Sequence, residues 1–567
     1  VVSEKSVPNA ASRQTPETDK VEKCGDPVSM CTGEEILELT DFELAGPLPM
    51  QWRRTYRSSQ SHQNIGFGYG WRSNFNLHID SVSDEAGTTT LRLVNEEGRQ
   101  LHFSRPEPGQ TSYQLAEELA LRAETDGSLV LLKPDNTHWI FVPAATDPAP
   151  GNDDQAGRKR WLLHQVMDSL GRYLQLYYNR QSRLSRIDYT RKKGIELHYN
   201  AAGLLSRIEA VSLSEQGAKG TELLLAQYQY NDEKELIGAT NSGDETEKYQ
   251  YSQHLLTVRQ RASGFCHYFS WQGNGPAARC VRNWGDNGIY DYRFSYDDSN
   301  HSASSIDGNG HCWQYFHNER NLLIKKVAPD GATWQYSWNK QGKKTSETLP
   351  DGSQTRFYYN ENSQLVTLEQ ADAAITHFQY NELGQRSVII DAEGRQWRRE
   401  YSAGGLLLQE SNPDSSVTRY QYNGENQLEK VYLPAGGVQR LLWSDESQLL
   451  AVKHNDALTR YSYDSLGRLN GMVDASGLVT EYHYNPAGKL LKQVQYPAES
   501  ESLSVAQRLE QHFSYDESGR LRSTTNANGD IVERQYGGLS QPSRLLQADG
   551  SAFDYQYDNE RNLTAIM

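Results

Sequence analysis

From residue 160 onward, apolar side chains fall two apart in short runs, and Gly, Asn and Asp separate the runs. The stretch PDGSQTRFYYNENSQLV (Pro350–Val366) shows the pattern. Phe357 and Tyr359 share one face of a strand, Asn360 opens a turn, and Leu365 starts the return strand. The same pattern recurs. With the second aromatic as index, Tyr296, His317, Trp338, Tyr359, Tyr380, Tyr401, Tyr422 and Trp443 follow at intervals of 21 residues. A step of 20 leads to Tyr463 and then Tyr484; after a longer step of 31 come Tyr515, Tyr536 and Tyr557. Upstream, Tyr178, Tyr199, Tyr230 and Tyr251 repeat the 21 and 31 spacings. A period held this long marks a repeat architecture.

Each unit predicts one hairpin. Asn or Asp after the index and Gly three residues later, as in Asp464/Gly467 and Asp516/Gly519, are type I turn chemistry with a left-handed fourth position. A second turn, Asp330-Gly331 or Asp351-Gly352, closes the unit. Two strands of about 6–8 residues bury too little to be stable alone, so successive hairpins must pair edge to edge. So many hairpins in a flat open sheet would expose long edges. The expected fold is therefore all-β, a large spiralling sheet that coils into a shell.

Composition sharpens this picture. The 567 residues are only 36% hydrophobic, yet 34 are Tyr against 13 Phe. So many aromatics argue against disorder and for strands whose faces tolerate water. A net charge of −16, with no basic run longer than Arg191–Lys193, offers no nucleic-acid groove. No stretch approaches 18 apolar residues, so no membrane-spanning helix is expected. The opening VVSEKSVPNAASRQTPETDKVEK (1–23) has no apolar core and reads as a polar linker cut from something upstream. At the other end, a last strand with an open edge suggests that more shell follows, in this gene or in a partner chain. The five cysteines suit a reducing compartment rather than a disulfide scaffold.

Candidate chemistry is sparse. GFGYG (Gly66–Gly70) lacks the Lys-Ser/Thr of a phosphate loop and reads as a turn-rich strand junction. His311-Cys312 with His317, and Cys266-His267 with Cys280, lie in repeat strands and read as filled repeat positions rather than metal ligands. Cys24 and Cys31 suggest a disulfide or a lid contact. No G-x-S-x-G elbow is present. Ser502–His512, inside the long interval, has the pattern of a short inserted helix. No catalytic, cofactor or metal residue is assigned, and residues 1–567 are expected to turn nothing over.

YDSLGRL (Tyr463–Leu469) and YDESGRL (Tyr515–Leu521) resemble the YD repeats of the Rhs family. GDPVSMCTGEEILELTDFELAGPLPMQWRRTYRSS (Gly25–Ser59) and GFGYGWRSNFNLHI (Gly66–Ile79) resemble the leading module of bacterial Rhs polymorphic toxins. The resemblance divides the chain into a linker (1–23), a β-rich leading module that starts or plugs the shell (24–160), and the YD-repeat shell (161–567). It implies a hollow cocoon around a C-terminal toxin, made in the bacterial cytoplasm and secreted or injected into target cells. An upstream PAAR spike of type VI secretion, a chaperone and an immunity protein would be its partners, and interbacterial competition its use. The family's self-cleavage motif, Asp-Pro-x-Gly, is absent after the last repeat; the Asp-Pro pairs are Asp26-Pro27 and Asp147-Pro148. Alternatives are a toxin-complex cocoon component and a carbohydrate-binding surface protein.

Overall fold

The computed structural model describes residues 22–83, 89–144, 159–213, 219–498 and 508–567. All but five of its 49 strands run in one antiparallel sheet in which each hairpin pairs with the next. The five exceptions form two small sheets within residues 23–73, the head of the molecule. The wall begins with the strand His78–Ser83. Its first strands curl so tightly that Arg160–Leu162, in the eighth, return to pair with His78–Asp80. The starting edge of the sheet is thereby covered, which removes an aggregation-prone edge. The second half of the same strand, Gln165–Met167, pairs onward with Tyr173–Gln175 and passes the sheet into the repeats.

The turn at Tyr463–Leu469 shows what each conserved-looking letter does. The Asp464 carboxylate accepts the N–H groups of Leu466 and Arg468 at 3.0 and 2.9 Å, and Gly467 takes the left-handed conformation at φ +84°. Arg468 binds the other carboxylate oxygen at 2.6 Å. Its guanidinium then lies 4.9 Å over the Tyr484 ring and donates to the Asn485 carbonyl at 2.8 Å, tying one hairpin to the next. Where the fourth turn residue is not Gly the geometry persists, as at Ser363 (φ 61°) and Ser447 (φ 60°).

The index residue closes each unit and bends it. The Tyr359 hydroxyl donates to the Lys344 carbonyl at 2.9 Å, and Tyr380, Tyr401 and Tyr422 do the same to residues 15 positions back. Trp338 and Trp443 replace Tyr by donating through the indole N–H, to Leu323 and Leu428. This explains why Tyr outnumbers Phe: the ring packs on the wall while its polar tip satisfies a backbone carbonyl, for about 1 kcal/mol each. A β-bulge sits at almost every index residue, for example between Tyr358 and Tyr359. Bulges increase local twist, so one in each hairpin coils the sheet.

Coiling brings distant hairpins together. Ser263 donates to the Gly538 carbonyl at 2.7 Å, Tyr292 to Glu560 at 2.6 Å and Asn426 to the Leu170 carbonyl at 3.3 Å. Lys489 pairs with Glu245, and Lys193 with Glu446 at 3.4 Å. These partners lie 244 to 275 residues apart, so one turn of the spiral takes roughly a dozen hairpins. Within a turn the wall is held by backbone ladders; between turns, mainly by side chains, with a backbone bond from the Tyr290 N–H to the Asn559 carbonyl at 2.9 Å among them.

Two expectations change. Leu509–His512 open the strand Leu509–Tyr515 and pair with Lys492–Gln495, because a sheet edge offers their backbone partners that a short helix would leave unused. The rest of the expected helix, Ser502–Gln507, lies outside the described residues, as do Asp147-Pro148 and residues 1–21. Nor do Cys24 and Cys31 form a disulfide: all five cysteines are free. Cys24 instead meets the Tyr315 hydroxyl at 3.0 Å and links head to wall, while Cys31 meets Ser29 at 3.1 Å.

Candidate functional site

The head lies against one face of the wall, the face that carries the index aromatics and the rings two residues before them. One small head reaches wall residues from Leu205 to Tyr315 and, farther on, the turn at Gly467, so the sheet curves around it and this face is concave. The head is built on the hairpin Ile36–Leu44/Met50–Arg57, whose register shifts between Thr40 and Phe42. That shift leaves Asp41 outside the ladder, free to aim its carboxylate at the wall. Asp41 receives Arg54 Nε at 2.8 Å and the Tyr228 hydroxyl at 2.6 Å. Arg54 donates from Nη1 to the Tyr249 hydroxyl at 2.7 Å, and Tyr249 in turn donates to Glu247 at 2.6 Å.

The network continues inward. Arg259 binds Glu247 through Nε and Nη2 at 3.2 and 2.9 Å and reaches Asp26 at 3.4 Å. His267 Nδ1 lies 3.4 Å from the same Asp26. Burial alone would raise the Glu247 carboxyl, but Arg259, Arg54 and the Tyr249 hydroxyl together outweigh it and bring the pKa down to about 2. Burial holds the His267 imidazole down at about 4. Glu35 is fully buried with neither carboxylate oxygen hydrogen-bonded, and burial, then Asp26, push its pKa well up. Around these charges the head packs its large rings: the Trp71 indole donates to the Tyr251 hydroxyl at 2.8 Å, and Tyr56 takes the Leu256 N–H at 3.0 Å. The paired charges of Asp41, Arg54, Glu247 and Arg259 hold head and wall together.

The residues singled out from sequence fall as follows. Gly66, Gly68 and Gly70 all have positive φ, and the Gly66 carbonyl accepts the Leu205 N–H at 2.9 Å, so this stretch docks against the wall as a turn. His317 is buried at its index position, donates its backbone N–H to His301 at 2.8 Å and is held down at about 4 by burial. Among the described residues no three His, Cys, Asp or Glu side chains gather as metal ligands. Sequence reasoning missed Asp41, Arg54, Glu247 and Arg259, whose partners lie up to 233 residues away. The hydroxyl role of the index residue did leave a signal, the excess of Tyr and its replacement by Trp.

Beyond the head, no described residue covers the rings of the concave face as the head does. Phe357, Phe378, Tyr420, Tyr461, Tyr482 and Phe513 occupy the position of Tyr249 and remain half-buried. A cavity of about 290 Å³ opens where the head (Thr40, Arg54), the first turn (Glu247, Arg261) and the second (Arg520, Leu539) meet.

Comparison with known proteins matches three stretches of the chain. Residues 25–103 match a domain of unknown function (DUF6531), 278–439 the teneurin YD-shell and 463–501 the RHS repeat. A probable deoxyribonuclease, RhsA, of Dickeya dadantii is 28% identical over 96% of this chain and 36% of its own length. The toxin protein Tse5 of Pseudomonas aeruginosa is 26% identical over 47% of the chain and 22% of its own length. The Photorhabdus luminescens Tc holotoxin pore aligns over 94% of this chain and 30% of its own, at 11% identity and a TM-score of 0.40. The chain thus spans little more than a third of these relatives, or less.

Proposed function

We propose that this chain, which belongs to the Rhs family of YD-repeat toxin shells, encloses a toxic domain and keeps it inactive until delivery. The observation that carries the reading is the uncovered concave face: a spiralling wall presents half-buried rings on its inner side where the head no longer fills it. Apolar rings facing a confined space suit a cargo with exposed apolar segments, because such contacts are non-directional and tolerate an unfolded chain. The head would close one end, held there by its buried ion network. The C-terminal toxin would come from the same polypeptide, with an upstream PAAR spike, chaperone and immunity protein completing a type VI effector used between competing bacteria. Such a protein would be made in the bacterial cytoplasm and act after secretion or injection. In this reading residues 1–567 hold and exclude, and the reaction belongs to the cargo.

Limited proteolysis of the intact polypeptide tests the proposal. A cargo segment should resist protease while the wall is folded, and be cut as soon as heating opens it. Digestion of that segment at the same rate in the native protein as in its isolated form would overturn containment. The glycan-binding alternative finds less support, since the index hydroxyls that would meet a sugar are bonded to the wall's own carbonyls.

A further inference from the structure

The face of the wall that points away from the head carries a pattern of its own. Three residues before the index, successive hairpins place Arg398, Arg419, Arg440 and Arg460, all exposed. They follow Arg356, which Glu369 neutralises at 3.1 Å, and His377. The position then changes character to Glu481, His512, Glu533 and Asp554. In a chain of net charge −16 this stripe is a local inversion of sign. Neutral groups are what Arg398 and Arg419 bind, Gln396 at 2.6 Å and Gln409 at 2.9 Å. Arg440 and Arg460 have no carboxylate partner among the described residues.

Register strengthens the stripe at its centre. Arg440 stands directly opposite Lys430 on one side and Lys453 on the other, three like charges in a row across adjacent strands. Like charges directly opposed destabilise a sheet, and nothing in the fold gains from that row. Glu400 and Glu429 border it, the latter 3.6 Å from Lys430. Two apolar groups interrupt the charges: Tyr432, opposite Arg419 and 38% exposed, and Leu442, 60% exposed. Exposed Arg and Tyr are the residue types enriched in protein-binding patches, and Leu442 adds apolar area that a solvated charge stripe would not need.

We propose that this outer stripe docks an acidic α-helix of a partner protein, laid across the strands. The spacing selects a helix. Each hairpin advances the sheet by two strands, about 9.6 Å, while a helix returns to the same face every seventh residue, about 10.5 Å. Carboxylates seven apart would therefore meet successive arginines, and an apolar residue between them would cover Leu442. A long polyanion such as DNA fits less well: it would run past the stripe onto a surface that is acidic overall. The inference does not depend on what the shell contains.

Fluorescence anisotropy with a labelled alanine-based peptide of about 22 residues, helical on its own and carrying Glu at every seventh position with one Leu between, tests it. The chain should bind this probe more tightly than a peptide of the same composition in scrambled order, and binding should weaken with salt. Arg419→Glu with Arg440→Glu should reduce affinity about tenfold or more, at a thermal midpoint no lower than the parent's, because both side chains are exposed and the second change relieves the repulsion from Lys430 and Lys453. Leu442→Ser should weaken binding several-fold without changing its salt dependence. Arg293→Glu, at the same repeat position outside the stripe, should leave binding intact. Equal loss with Arg293→Glu, no preference over the scrambled peptide, or tighter binding of duplex DNA than of the helix would each overturn the proposal.

Discussion

Tyr249 and Phe378 hold the same place in their strands, two residues before the index, yet they live in different environments. In the first turn of the spiral Tyr228, Tyr249 and Tyr315 are 4%, 2% and 2% exposed, because the head covers them. Their counterparts Phe357, Phe378 and Tyr420 remain half-buried on the same face. The repeat thus supplies a backbone and a ring, and the head decides whether that ring is core or lining. The polar partners differ in the same way: Arg54 and Asp41 are almost fully buried at 3% and 8% side-chain exposure, whereas Arg399 and Glu410 pair at 2.7 Å while 41% and 32% exposed.

The sharpest way to break this comparison is to remove one arginine from each region. Arg54→Met should cost about 3–5 kcal/mol in denaturant unfolding of the head-bound region, because it leaves the buried Asp41 carboxylate without its cation. Arg399→Met should cost no more than about 1 kcal/mol. Similar losses would show that the head does not create a buried environment.

Acidification comes next. His267 is held at about 4 in the folded state against an ordinary 6.5, so the unfolded chain gains its proton first. Its contribution to head docking, up to about 3 kcal/mol, is complete above pH 6.5 and is lost as pH falls from there toward 4. Glu247 adds a further loss between about 4.5 and 2. Hydrogen exchange of residues 36–57 should therefore quicken on the acid side before exchange in the hairpins from 354 to 443 does. His267→Gln should remove the upper part of that dependence.

A smaller contrast separates the index hydroxyls. Tyr251→Phe leaves both the Leu236 carbonyl and the Trp71 indole N–H without a partner, and should cost about 1–3 kcal/mol. Tyr380→Phe loses one half-buried hydrogen bond to Leu365, worth about 1 kcal/mol. Equal thermal shifts would show that the head contributes nothing to the buried bond.

The turns give the finest test. Gly467→Ala should destabilise by about 1–2 kcal/mol, since its φ is +84° and a Cβ there would lie 2.9 Å from the Ala45 carbonyl oxygen of the head. Ser363→Gly, in the same turn position of an earlier hairpin, should stabilise by up to about 1 kcal/mol, because glycine adopts the left-handed conformation without strain. Differential scanning of the two variants should move their midpoints in opposite directions.

The hairpins were legible in the chain because their causes are local. Two rings spaced by two, an Asn or Asp, a Gly and a Leu act within one turn, so Asp464 and Gly467 do in space what their spacing says. The expected helix at Ser502–His512 failed at its described end for the opposite reason: local periodicity lost to the open edge of a neighbouring strand. The head's anchors carried no signal at all. Asp41 and Tyr228, or Arg54 and Tyr249, are ordinary residues until the wall brings them together across 187 and 195 positions.

By itself, then, the sequence determined a repeating all-β wall, since period, turn chemistry and the paired rings are written in every unit and leave no other way to satisfy the backbone. Only the tertiary structure decided which rings are buried, where the head is fastened and which hairpins meet across the seam. Those depend on how far the sheet coils, and coiling is the sum of many small twists that no single unit records.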